Sequence, residues 1–346
     1  MNESATKESY FWAEQIRAVA ILAVLTIHVS GGLVLEYGKI RYDHWMTAHV
    51  YDSIVRFSVP LFLMISGALL FPKEYGIRDF MRKRFKKILW PFLFWGLIYT
   101  LYNLIQKLNN GYQMSVKNIV MFIFRNFRDK PYDHFWFLYL LIGLYLFYPI
   151  LSSWARRATE NQLLYFLIIW FAISLTTIGY LHNLVPKIEL RYFSGFIGYP
   201  VLGFYLSRIR WRNPVKIGLA CFILGTLMTF CATLVEIRKS GNFSEIFYNT
   251  TTPNVIIASM GIFLVLRYCE VHQRFIRRLL VEISTQSFGI YFVHILILIM
   301  LSSLGMAGDF VHPAIGIPVI VLICMAVSYA IIKVLKLVPL LGRIVG

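Results

Sequence analysis

Two side chains able to do chemistry stand inside the first hydrophobic stretch of this chain, residues 14–35: Arg17 near one end and His28 near the other. Eleven positions separate them, close to three turns of a helix with about 3.6 residues per turn, so both project from one face. Along the axis they lie roughly 16 Å apart at 1.5 Å per residue. A guanidinium inside a span costs about 2.5–3.5 kcal/mol on insertion scales, and ionisable groups kept there mark functional sites by default. An unperturbed imidazole titrates near 6.5, which suits proton transfer around neutral pH. Glu14, three residues before Arg17, has the i,i+3 spacing of an ion pair that would lower the cost of holding that arginine. Taken singly, Arg17 reads as a side chain snorkelling to the headgroups and His28 as an interhelical hydrogen bond. Paired on one face, they read as a site.

Further candidates follow in chain order. The second stretch opens on Arg56-Phe57-Ser58-Val59-Pro60, where Pro60 is expected to loosen the helix, and continues to Ser66-Gly67, a small pair suited to close helix packing. Arg56 is expected at the depth of His28 if the two helices are antiparallel neighbours. Seven positive residues then fall between Lys73 and Lys87, among them Arg82 and Arg84. They read as a topogenic anchor touching anionic lipid, and also as a phosphate site, since guanidinium groups bind phosphate in bidentate fashion. The segment 106–133 is long and aromatic and runs into His134-Phe135-Trp136, a composition that fits either sugar binding or an interfacial aromatic belt. Ser287, Tyr291 and His294 fall at i, i+4 and i+7, a polar stripe that should face an internal cavity.

The elements that must position these residues are membrane helices. Of 346 residues, 58% are hydrophobic and 15% charged, with a mean hydropathy of +0.65, against about 25% charged in a soluble chain. Hydrophobic runs near 20 residues recur without strand-like alternation, so the chain is expected to be an all-α integral membrane protein. Ten spans are expected, at 14–35, 53–72, 88–105, 134–152, 161–181, 194–207, 214–236, 252–268, 285–304 and 314–337, with 116–127 as an interfacial helix. No Asp or Glu falls in the middle of any of them. The sequence shows no second folded domain, so 1–346 is read as one transmembrane domain.

The net charge of +17 is unevenly spread: with the N-terminus inside, inner segments together with the inner ends of the spans hold 21 Lys and Arg against 11 in outer segments. That bias follows the positive-inside rule, places both termini in the cytoplasm and accounts for the basicity without nucleic acid. The first span lacks a small-residue cleavage site after it and is read as a retained helix. Four cysteines, Cys221, Cys231, Cys269 and Cys324, show neither CxxC nor His-paired spacing, so no metal site or disulfide framework is expected. Asn242 and Asn249 begin sequons in an expected outer loop.

Taken together, these segments resemble the acyltransferase-3 family of multi-pass membrane enzymes. The first helix of that family carries an acid, an Arg, ten residues and a His, matched by Glu14, Arg17 and His28, although its usual acid is Asp. Arg56 to Phe62, Ile65-Ser66-Gly67, the basic run before Pro91, His134 to Leu138 and Ser287 to His294 match in order across nearly the whole chain. The resemblance implies transfer of an acyl group, most often acetyl, from cytoplasmic acyl-CoA to a hydroxyl on a glycan or lipid-linked sugar, with no bound cofactor. Single-domain bacterial members, including those acting on enterobacterial common antigen, are the nearest in pattern, which implies the inner membrane. On this basis His28 is the expected general base, Arg82, Arg84 and Arg17 the expected holders of the donor's phosphates, and Arg56, Tyr291 or Ser287 the oxyanion donor. An acylated His28 is equally compatible, as is a homo-oligomer. The alternative is a transporter or flippase of a lipid-linked glycan or small anion, disfavoured by the missing mid-span carboxylate and by the absence of inverted, interrupted repeats.

Overall fold

The computed structural model describes residues 10–178 and 195–346, and among these every regular element is helical. In chain order the helices are α1 (Phe11–Val34), α2 (Tyr42–Val55), α3 (Ser58–Leu70), α4 (Ile77–Asn109), α5 (Val116–Asp129) and α6 (Trp136–Arg157). They continue as α7 (Glu160–Ser174), α8 (Gly198–Arg208), α9 (Pro214–Ser240), α10 (Pro253–Tyr268), α11 (Arg274–Ser303) and α12 (Pro313–Leu335). Among the described residues, eight segments are long and apolar enough to cross a membrane. The fifth and sixth expected spans correspond to α7 and α8, of 15 and 11 residues, below the roughly 20 that a straight crossing needs. Their expected extensions over 179–181 and at 194 lie outside the described residues.

The second span begins earlier than its hydropathy suggests, because α2 and α3 together form one segment, Tyr42–Leu70. The helix is interrupted at Arg56-Phe57. Pro60 is the reason: it has no N–H for the carbonyl four residues back, and its ring crowds that turn. As the third residue of α3 it occupies a first turn whose N–H groups lack intrahelical partners anyway.

The chain divides into two compact units. The first contains Met1–Lys73 and Ser152–Tyr329, and within it α1 packs against α2, α3, α10 and α11. Glu14 meets Ser284 at one end of α1 and His28 meets His294 towards the other, so α1 and α11 run in the same direction. Small residues let other pairs of backbones touch. A Cβ on Gly67 would stand 1.9 Å from the Pro200 carbonyl oxygen of α8, and one on Gly203 of α8 would stand 2.1 Å from that of Met64. Gly218, Gly225 and Gly261 do the same between α9 and α10. Close approach of this kind drives helix association in lipid, where no hydrophobic gain is available. Gly203→Leu is therefore expected to force α3 and α8 apart and lower stability by about 1–3 kcal/mol, the usual range for overpacking. Thermal unfolding in detergent, with exposed Leu219→Ala as a control, checks this.

The second unit contains Glu74–Leu151 and Ala330–Gly346. Trp95 donates to the Val345 carbonyl at 3.2 Å, and Asn103 donates to the Pro131 carbonyl at 2.8 Å. Phe92 sits among Phe127, Phe135 and Tyr139. Helix α5 has no buried residue and exposes Val116, Val120 and Phe124 along one side, as expected of an interfacial helix.

Candidate active site

The face of α1 predicted to carry chemistry is built against α11. Arg17 pairs with Glu14 at 3.0 Å, as the i,i+3 spacing requires, and the other Glu14 oxygen accepts from the Ser284 hydroxyl. Farther along, the His28 and His294 rings stand 5.0 Å apart between centroids. Ser287, Tyr291 and His294 are all buried, so the polar stripe of α11 turns inward as anticipated. Ser287 is engaged locally, donating to the Ser284 carbonyl at 2.7 Å. His294 Nδ1 lies 2.7 Å from the Tyr291 carbonyl, which can only accept, so Nδ1 carries a proton and the neutral ring presents Nε2 as an acceptor.

His28 differs from its neighbours in being exposed. Leu25, Val29 and Leu33 are buried, whereas His28, Gly32 and Leu35 form an accessible stripe at i, i+4 and i+7. A Cβ placed on Gly31 or Gly32 would meet nothing within 4 Å, so the face beyond His28 is open. An imidazole facing hydrocarbon would be costly, and the open space at Gly31 and Gly32 leaves room beside it for a reacting molecule.

The second helix pair supplies a network that the sequence did not suggest. Arg56 is ion-paired with Asp52, whose side chain is 0% exposed. The second Asp52 oxygen accepts from Ser30 at 3.2 Å, two residues beyond His28 on α1. The Arg56 guanidinium also lies 3.8 Å over the Tyr248 ring, a cation–π arrangement. His49 braces that ring: its Nε2 donates to the Phe230 carbonyl at 3.2 Å, leaving Nδ1 to accept from the Tyr248 hydroxyl. Through Asp52, Arg56 is tied to Ser30 of α1, two residues from His28. Asp52 also corrects the expectation that no carboxylate stands mid-span. The expected span began at 53, just past Asp52 and well after the observed start at Tyr42, because α2 is too polar to register as hydrophobic.

Other predicted residues fall elsewhere. Ser66 donates to the Leu63 carbonyl within α3 at 2.8 Å, while its neighbour Gly67 makes the close contact with α8. In the second unit, Arg82 is exposed and Arg84 lies 5.9 Å over the Phe80 ring. His134 is 2% exposed, packed 4.9 Å from the Tyr99 ring and 4.7 Å from that of Phe135, and Trp136 is 37% exposed. Asp52, Ser30, His49, Tyr248 and Ser284 are functional candidates that only the structure brings out. Two of them have a local signal: Ser284 stands one turn before Ser287 on the same stripe, and Asp52 stands four residues before Arg56, the spacing of a helical ion pair.

Comparison with known proteins agrees with this architecture. The model of the acyltransferase-3 family, described as an acyltransferase domain, matches residues 10–333. The chain is 21% identical over 293 residues to YfiQ of Bacillus subtilis, whose name proposes a membrane-bound acyltransferase; the match covers 81% of this chain and 78% of that one. No solved structure matches.

Proposed function

Because this chain belongs to the acyltransferase-3 family of membrane acyltransferases, we propose that it transfers an acetyl group from acetyl-CoA to a hydroxyl of a cell-surface glycan or lipid-linked sugar. The observation that carries this reading is the exposed His28, on an open stripe of an otherwise largely buried helix and backed by His294. His28 takes the proton of the acceptor hydroxyl as its oxygen adds to the thioester carbonyl. The resulting oxyanion is negative, and Arg56 supplies the nearby positive charge that Asp52 and Tyr248 hold in place. Collapse breaks the carbon–sulfur bond, and the imidazolium returns its proton to the leaving thiolate. His28 is thereby restored and the ester is left on the acceptor.

Guanidinium groups suit the donor's phosphates, and Arg82 and Arg84 are proposed for that role on chemistry and charge. The proposed setting is the inner membrane, with both termini and the basic segments cytoplasmic.

Inverted membrane vesicles supplied with labelled acetyl-CoA test the reaction. Label is expected in the glycolipid or polysaccharide fraction in proportion to the protein present. An Arg82→Ala/Arg84→Ala protein is expected to raise the donor KM about tenfold or more while kcat changes little, the pattern of lost ground-state binding. Absence of protein-dependent transfer from acetyl-CoA, with accumulation of unmodified glycolipid across the vesicle membrane instead, would replace this reading with transport.

A further inference from the structure

Asp43 and His44 open helix α2, and His312 immediately precedes α12. We propose that these three side chains form a binding site for a late divalent transition metal of the zinc type. Their ligand atoms all lie within 4.8 Å of one another. His312 Nε2 stands 3.7 Å from Asp43 Oδ2, and the His44 and His312 rings are 5.0 Å apart at 79°. A separation of 3.7 Å is too long for a hydrogen bond, so the pair is not explained as one. It is close to the edge of a coordination polyhedron: zinc ligands at about 2.0–2.1 Å in tetrahedral array stand roughly 3.3 Å from each other. Small rotations of three accessible side chains cover the difference.

The chemistry of the set is selective. Two imidazoles and one carboxylate, with water in the fourth position, form a ligand set that zinc accepts readily. Magnesium and calcium prefer oxygen alone, so neither is expected to compete. Arg41 binds both Asp43 oxygens, at 3.1 and 2.9 Å, and would fix the carboxylate as an outer partner while its remaining lone pairs face the metal. His312 Nδ1 accepts from the Ala314 amide at 3.2 Å. Ligation through Nε2 moves the ring proton to Nδ1 and releases that amide, which as a first-turn N–H of α12 can turn to water.

The site would clamp two chain segments to each other. Tyr51 of α2 already donates to the Ala314 carbonyl at 3.1 Å. The segment ahead of His312 lies on α1, where a Cβ on Gly308 would be 3.0 Å from Val29 and 3.3 Å from Leu33. A metal at Asp43, His44 and His312 would therefore hold that segment against the end of α1 that follows His28. Cysteine and histidine spacing along the sequence gives no hint of this set, because 268 positions separate His44 from His312.

The test uses the full chain purified in detergent without a histidine tag and stripped of metal. Titration with Co(II) is expected to give one equivalent bound, visible ligand-field bands and a rise in unfolding temperature. His44→Ala and His312→Ala should each weaken binding by at least about tenfold, and the double variant should abolish both signals without lowering the unfolding temperature of the metal-free protein. Excess Mg(II) should not displace the cobalt. The proposal is overturned if wild-type protein binds no cobalt at 1 mM free metal, or if the double variant keeps wild-type affinity and spectrum. Since all three residues are at least partly accessible, loss of fold is a separable outcome, read from the metal-free unfolding temperature.

Discussion

Replacement of His28 by alanine is expected to lower acyl transfer by about 10²–10⁴-fold at equal protein level, the range typical of a lost general base. The fold should survive, because His28 is exposed and its removal leaves no buried cavity. Exogenous imidazole should restore part of the rate, since the positions beside Gly31 and Gly32 are open. The wild-type rate should fall as acid protonates the base, and that limb of the pH profile should vanish in His28→Ala. The same protein separates two chemistries. If the ring is itself acylated, wild-type protein incubated with labelled acetyl-CoA and no acceptor will retain label that His28→Ala does not. If the ring acts only as base, neither retains it. Wild-type turnover by a folded, membrane-inserted His28→Ala protein would falsify the role given to this residue.

Asp52→Asn is expected to have the largest effect on stability. The substitution keeps the shape and an acceptor for Ser30 but removes the charge opposite Arg56, in a site where Asp52 is 0% exposed. Leaving one member of a buried ion pair uncompensated costs about 3–5 kcal/mol. Removing both charges, as in Asp52→Asn/Arg56→Gln, should recover much of that loss, because the desolvation penalty disappears with the pair. Activity should not recover with it, since the oxyanion would lose its nearby cation. Thermal unfolding and vesicle transfer, measured on the two single variants and the double variant, give the complete cycle. Recovery of transfer together with stability would show that Arg56 only supports the fold.

The portion of the site legible beforehand is the portion written within single helices. Glu14 and Arg17 pair because i,i+3 positions on a helix are neighbours. Ser287, Tyr291 and His294 turn inward because their spacing puts them on one face of a helix that cannot show them to lipid. The helix over α5 and its exposed apolar side were legible for the same reason, as was the close packing at Gly67, whose lack of a side chain allows one backbone to reach another.

Only part of the network around Arg56 was legible: Asp52 and Arg56 have the i,i+4 spacing of a helical ion pair, but Ser30 and Tyr248 come from other elements of the chain. Asp52 reads as part of a polar loop until α2 is seen to carry it into the core, and its partner Ser30 lies 22 positions away. Tyr248 and His49 are 199 positions apart and meet only because α2 packs near the segment before α10. Hydropathy and periodicity thus determined that this is a helical membrane protein, and the order of its motifs pointed to its family. Which buried charges neutralise one another, and that the stripe carrying His28 stays open, were decided by tertiary packing. Periodicity fixes the face a side chain occupies, but only the neighbouring helix determines whether that face meets a partner, a furrow or lipid.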